Sequence, residues 1–239
     1  MPGAWAAIAT RNVPLVQALT AAERDELFGH VRVFLADKRF DGCGGLEIDD
    51  EVRVTIATQA CLLLLNREVD APYPDLEVVA VYPSAYVARR RSALAGGAEL
   101  DAEEARLGQS QDGVVVLAWD ASKAGAADTD DGRNVVLHEF AHQLDQADGA
   151  ADGAPELGDA GRYSAWARVL GAEYEALHRA AGSGRSHVLD GYGATNPAEF
   201  FAVATETFFE RPAALRRRHP ELYAELCTFY RRDPLRTST

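Results

Sequence analysis

Between Thr20 and Asp37 the apolar residues Leu27, Val31, Phe34 and Leu35 recur at helical spacing. The opening Thr20-Ala21-Ala22-Glu23 has the form of a capping box, so a helix is predicted over residues 21–37. Gly42, Gly44 and Gly45 then break the chain. Asp49 or Asp50 can cap a second helix running to about Asn66. Its middle, ATQACLLLLN, is apolar nearly all round, which marks a helix deep in a core, although its β-branched start, VRVTI, also suits a strand.

Residues 76–82 (LEVVAVY) and 114–119 (VVVLAW) read as strands, with a hairpin-like antiparallel pairing expected between them. The stretch joining them reads as irregular. Residues 120–132, rich in Asp with Gly and Ser, read as a loop. From about Gly132 the pattern turns helical, with Val135, Val136, Phe140 and Leu144 as its apolar residues. A loop over 145–161 and helices over about 162–181, 197–210 and 220–231 follow, two of them announced by Asn196-Pro197 and His219-Pro220. The order is two helices, a small sheet and a helical C-terminal half. The fold class is therefore α+β and mostly helical, with a small mixed or antiparallel sheet, and not alternating βαβ. One domain is the simplest division of the chain, with 1–70 a helical N-terminal part and 71–234 a core carrying the chemistry.

Composition narrows the function classes. The residues are 47% hydrophobic and 26% charged, which suits a globular chain rather than a disordered one. A net charge of −13 argues against direct binding to nucleic acid. Cys43, Cys61 and Cys227 form no CxxC pair and suit a reducing compartment. The N-terminus shows no basic cluster ahead of an apolar run, and the apolar run at Cys61–Leu65 is too short to span a membrane. The expectation is a cytoplasmic protein, most simply a monomer, with no membrane partner.

The chemistry concentrates in HEFAH, residues 138–142. On a helix, His138 and His142 share one face, one turn apart, where two imidazoles can reach one Zn2+ ion. Glu139 stands beside the first histidine, where a carboxylate can take a proton from metal-activated water and pass it to the leaving amine. The plainer alternative is a pair of helix-face histidines without a metal. The short-spaced pattern with a third histidine is absent, because position 148 is Asp. A third ligand must then come from a later helix, where NPAEFFAVATETFFE offers Glu199, Glu206 and Glu210. Glu199 and Glu206 are seven apart and share a face among apolar residues, so either can serve. Glu199 also has a structural reading: with Asn196 as N-cap and Pro197 as N1 it is the N3 residue of a capping box.

The stretches 134–145 (NVVLHEFAHQLD) and 191–209 (GYGATNPAEFFAVATETFF) resemble the Mlc titration factor A family, bacterial zinc peptidases of the glutamate-ligand class. The second stretch is also similar to part of the anthrax lethal factor catalytic domain. The resemblance extends more loosely from about Val13 to Pro234. It implies a zincin-like fold with one catalytic zinc held by His138, His142 and Glu199. It implies Glu139 as general base and Glu206 as an acid behind the ligands that orients a ligand histidine. It matches Tyr192 to a tyrosine whose phenol donates to the substrate oxyanion. Asp145, three residues past His142, is expected to support the helix or a ligand. The 114–119 strand is expected to offer its edge to an extended substrate. The substrate class implied is a peptide or protein, with a lean towards removal of N-terminal residues.

Two other functions remain open at this level. The family is named for a transcriptional repressor, Mlc, so the chain can be a metal-containing regulatory protein that titrates such a repressor, with weak or incidental peptidase activity. A purely structural zinc site would instead need a closed shell of four protein ligands.

Overall fold

The computed structural model describes residues 1–93, 99–106, 108–111, 113–181 and 187–236, with backbone alone for 86–93, 99–106, 111 and 181. Three helices open the chain: α1 (Gly3–Asn12), α2 (Ala21–Asp37) and α3 (Asp50–Leu62). The capping box of α2 is complete, with Thr20 Oγ1 accepting the Glu23 N–H at 3.1 Å and Glu23 Oε2 accepting the Thr20 N–H at 2.8 Å. Asp49, not Asp50, caps α3 by accepting the Val52 N–H at 2.9 Å. From Val54 to Leu62 every residue of α3 is buried, which fits its all-round apolar pattern. The β-branched start is helical, because α1, α2 and a later helix enclose it.

The sheet order is β1 (Arg39–Gly42), β2 (Val78–Tyr82), β6 (Val114–Ala118), β5 (Gly108–Gln111). Here the expected antiparallel hairpin is corrected: β2 and β6 run parallel, with Val79 facing Val115 and Val81 facing Leu117. A parallel neighbour needs a long connection rather than a tight turn. That connection is not irregular. It contains β3 (Tyr86–Ala93) paired antiparallel with β4 (Glu99–Arg106), and then β5 antiparallel to β6. Neither YVARRRSA nor ELDAEEAR has the apolar alternation that would reveal a strand. Residues 94–98, 107 and 112 of this connection lie outside the described residues.

The expected loop at 120–132 is also corrected, since α4 occupies Trp119–Ala127. Its alanines favour helix despite the Asp and Gly around them. Its buried small residues, Ser122, Gly125 and Ala126, let it lie close to the next segment. A Cβ on Gly125 would sit 3.1 Å from the Arg133 carbonyl oxygen.

The C-terminal half is α5 (Val135–Asp145), α6 (Ala160–Ala181), α7 (Pro197–Glu210), α8 (Pro212–Arg218) and α9 (Pro220–Phe229). Helices α1 and α8 and strand β1 have no counterpart in the sequence pattern, being short and weakly periodic. One buried apolar cluster runs from Ala9 to Tyr230. Within it Phe140 of α5 packs on Phe34 and Tyr73, at ring-centroid distances of 5.7 and 4.8 Å. The arrangement is mostly helical α+β with a small mixed sheet, as the pattern predicted.

Candidate metal centre

Helix α5 is set by its cap and by its apolar face. Asn134 Oδ1 accepts the N–H groups of Val136 and Leu137 at 3.1 and 3.0 Å, satisfying two donors that have no partner within the helix. Val136, Leu137, Phe140, Ala141 and Leu144 are buried. His138 and His142 keep partial exposure, and their rings lie 4.9 Å apart. The apolar stripe thus orients the histidine face.

Helix α7 packs on α5 and brings three glutamates along one side. Glu199 Oε2 lies 2.9 Å from His138 Nε2 and 3.4 Å from His142 Nε2. Among the described residues, His138, His142 and Glu199 bring three ligand atoms within 4.8 Å of one another. Two imidazole nitrogens and one carboxylate oxygen are a donor set suited to zinc. The capping question at Glu199 is answered by dividing the residue. Its backbone N–H donates to Asn196 Oδ1 at 2.9 Å, while its carboxylate turns to the histidines. Glu206 takes the other nitrogen of His138, Nδ1, at 2.7 Å through Oε1, and its Oε2 accepts the Asn134 N–H at 2.5 Å.

The electrostatics follow from burial and these pairs. Burial opposes the charged form of His138, but hydrogen bonds to Glu199 and Glu206 outweigh it and lift its pKa to about 10. Burial likewise raises the Glu199 carboxyl, yet His138 and His142 hold it well below the usual carboxylate range. Burial pushes Glu139 up to about 7 and raises Glu206.

Glu139 is buried against the sheet's edge strand. A Cβ on Gly108 would lie inside contact distance of Glu139 Oε1 and only 2.6 and 2.7 Å from its Cγ and Cδ. Gln143 Nε2 donates to Ser110 Oγ at 2.5 Å, a second tie between α5 and this strand. The strand beside the histidine helix at the edge is therefore β5. The expectation for 114–119 is corrected, because β6 lies inside the sheet between β2 and β5. Sequence reading missed Gly108, since nothing in a four-residue polar strand signals a close approach.

Tyr192 is exposed, with its phenol 3.5 Å from Glu199 Oε1 and its ring 6.0 Å from that of His138. Asp190 places it by accepting the Tyr192 N–H at 2.9 Å and pairing with Arg133 at 2.6 Å. Asp145 is fully buried and accepts the Gly153 N–H at 3.0 Å, so it ties down the following loop. Burial pushes its carboxyl up to about 6.

A small mixed sheet beside a helix bearing H-E-x-x-H, with a glutamate supplied by a later helix, is a zincin-like arrangement. The chain belongs to the family described as glucose-regulated metallo-peptidase M90, which matches residues 1–231. It is 40% identical over 237 residues to an uncharacterized protein of Synechocystis, covering 98% of this chain and 86% of that one. It is 32% identical over 238 residues to Mlc titration factor A of Salmonella typhi, covering 93% and 84%. The same protein of Salmonella arizonae is 32% identical over 235 residues, covering 93% and 88%. Among the described residues no helix is long and apolar enough to cross a membrane.

Proposed function

We propose that the chain binds one zinc ion through His138, His142 and Glu199 and hydrolyses peptide bonds. The observation that carries this is the convergence of both histidines on the Glu199 carboxylate, with Glu139 beside them. When bound, zinc supplies Lewis acidity that polarises a peptide carbonyl and makes water acidic. Glu139 accepts the proton of the attacking water at a carboxylate oxygen and delivers it to the leaving amine. The Tyr192 phenol donates a hydrogen bond to the oxygen of the scissile carbonyl as charge develops there. Glu206 holds His138 at Nδ1, leaving Nε2 for the metal. The substrate is a peptide or protein, cleaved near its N-terminus, and the protein acts as a cytoplasmic monomer.

A second reading is favoured directly by the relatives' name, Mlc titration factor A. In it the chain binds a transcriptional repressor, and hydrolysis is weak or incidental. The name speaks for partner binding more directly than for catalysis.

One set of measurements separates the two. Purified protein is assayed for zinc content, cleavage of N-terminally unblocked peptides, and association with a repressor of the Mlc type. Under the hydrolytic reading, chelation abolishes cleavage, and Glu139→Gln keeps zinc but loses at least about 10³-fold in rate. Tyr192→Phe should lose about 100- to 1,000-fold in kcat at unchanged zinc affinity. Cleavage that survives chelation overturns the hydrolytic reading. Repressor association that survives Glu139→Gln supports the binding reading, and no association overturns it.

A further inference from the structure

A cavity of about 470 Å³ opens at the C-terminal end of α7. It lies about 16 Å along the helix from Glu199, at 1.5 Å of rise per residue. Its volume falls in the range of small-molecule sites, roughly 300–1,000 Å³. Segments far apart in sequence build it: Leu15 from the turn after α1, Leu62 from the end of α3, Phe209 from α7, Arg211 and Arg217 around α8, and Arg232 from the C-terminal tail.

Its charge is unlike that of the chain as a whole. Three guanidiniums line the cavity of a protein whose net charge is −13. Two acids also line it. Asp130 is exposed. Glu210 keeps both carboxyl oxygens sealed from solvent, and burial pushes its pKa up to about 8, so it is mostly neutral at pH 7.

Arg232 is the informative residue. Its side chain is 13% exposed, and its nearest acid is Glu23, with Nη1 to Oε1 at 3.4 Å. Glu23 already serves the capping box of α2 through Oε2. Arg232 Nε and Nη1 are sealed from solvent and, among the described residues, meet no hydrogen-bond acceptor, so an anion in the cavity reaches this guanidinium through Nη2. A guanidinium taken this far out of water is costly unless well paired, and here the protein supplies only part of the pairing.

We propose that this cavity binds a small organic anion. Its acid group, a carboxylate or a phosphate ester, pairs with Arg232 and Arg217, and its apolar body rests on Leu15, Leu62 and Phe209. Arginine suits this role because its planar fork matches both acid groups. The site is separate from the metal cluster and does not depend on a metal being bound.

Titration calorimetry on the full chain tests this with octanoate, octyl phosphate and octylammonium. The expected result is saturable one-site binding of at least one anion and none of the cation. Tighter binding of octanoate assigns a carboxylate ligand, and tighter binding of octyl phosphate assigns a phosphate ester. Arg232→Gln and Arg217→Gln should each weaken that binding at least tenfold. Arg217 is exposed, so its variant keeps the test decisive if Arg232→Gln fails to fold. Absence of saturable anion binding, equal binding of octylammonium, or undiminished affinity in Arg217→Gln would overturn the proposal.

Discussion

Glu206 Oε1 lies 2.7 Å from His138 Nδ1, while the other oxygen of the same carboxylate accepts the backbone N–H of Asn134, the residue that caps α5. One acid on α7 therefore holds both the start of the histidine helix and the ring of its first histidine. Glu206→Gln preserves size but removes the charge. We expect the fold to persist and zinc affinity to fall about 10- to 100-fold, as for other partners behind metal ligands. A competition titration against a chelator reads this directly. Unchanged affinity would mean that Glu206 serves only the helix cap.

Gly108 leaves room for Glu139 and for nothing larger. In Gly108→Ala the added carbon meets Glu139 at Oε1, Cγ and Cδ together, so the whole carboxyl arm must shift. If Glu139 is the base, hydrolysis falls about 100-fold, the usual order for a displacement of about 1 Å. Zinc affinity should stay within about threefold. Steady-state kinetics and zinc titration on one preparation separate the two effects.

Gly153 joins three elements. Its N–H donates to Asp145 Oδ2 at 3.0 Å, its carbonyl accepts the Trp166 indole N–H at 2.9 Å, and its φ is 78°. A Cβ there would press on the Pro197 carbonyl, with the carbonyl carbon at 2.7 Å. Gly153→Ala combines a left-handed backbone penalty of about 1–2 kcal/mol with that clash. We expect a total loss on the order of 2–4 kcal/mol by denaturant unfolding. Pro197 opens the helix that carries Glu199, so zinc affinity should fall as well. A drop in stability with affinity intact would show that the loop does not set the position of α7.

Glu210 makes stability depend on pH. Burial raises its carboxyl from 4.5 to about 8, with the Asn134 side chain and Arg133 backbone opposing only in part. The folded chain thus holds this proton more tightly than the unfolded chain does. The contribution is complete below about pH 4.5 and is lost as pH rises towards 8. Glu210→Gln cannot ionise, so it should gain on the parent protein across pH 5–8, by roughly 3–4 kcal/mol. Urea unfolding at several pH values gives the slope of that difference. A flat difference would place the ordinary carboxylate pKa in the folded state.

Much of the site was readable from local spacing. His138 and His142 are one turn apart, so any helix there puts both on one face, and Glu139 comes with them. Helices α2, α5 and α7 were readable because their caps and periodic apolar residues agree with their burial. Helix α4 was not, because alanines that favour helix stood among residues that favour turns, and its burial against the segment before α5 decided the outcome. The pairing of β2 with β6 was equally hidden, since strand direction depends on the path of the intervening chain.

The sequence by itself determined the donor types and the two histidines' common face, because a helix has a fixed period. Local spacing left Glu199 and Glu206 equivalent, seven residues apart on one side of α7, and the family resemblance pointed to Glu199. The packing of α7 on α5 supplied the physical distinction, placing Glu199 at the two Nε2 atoms and Glu206 at His138 Nδ1. The physical reason is distance: local periodicity orients side chains along one helix, while the offset between two helices comes from the core that both of them bury.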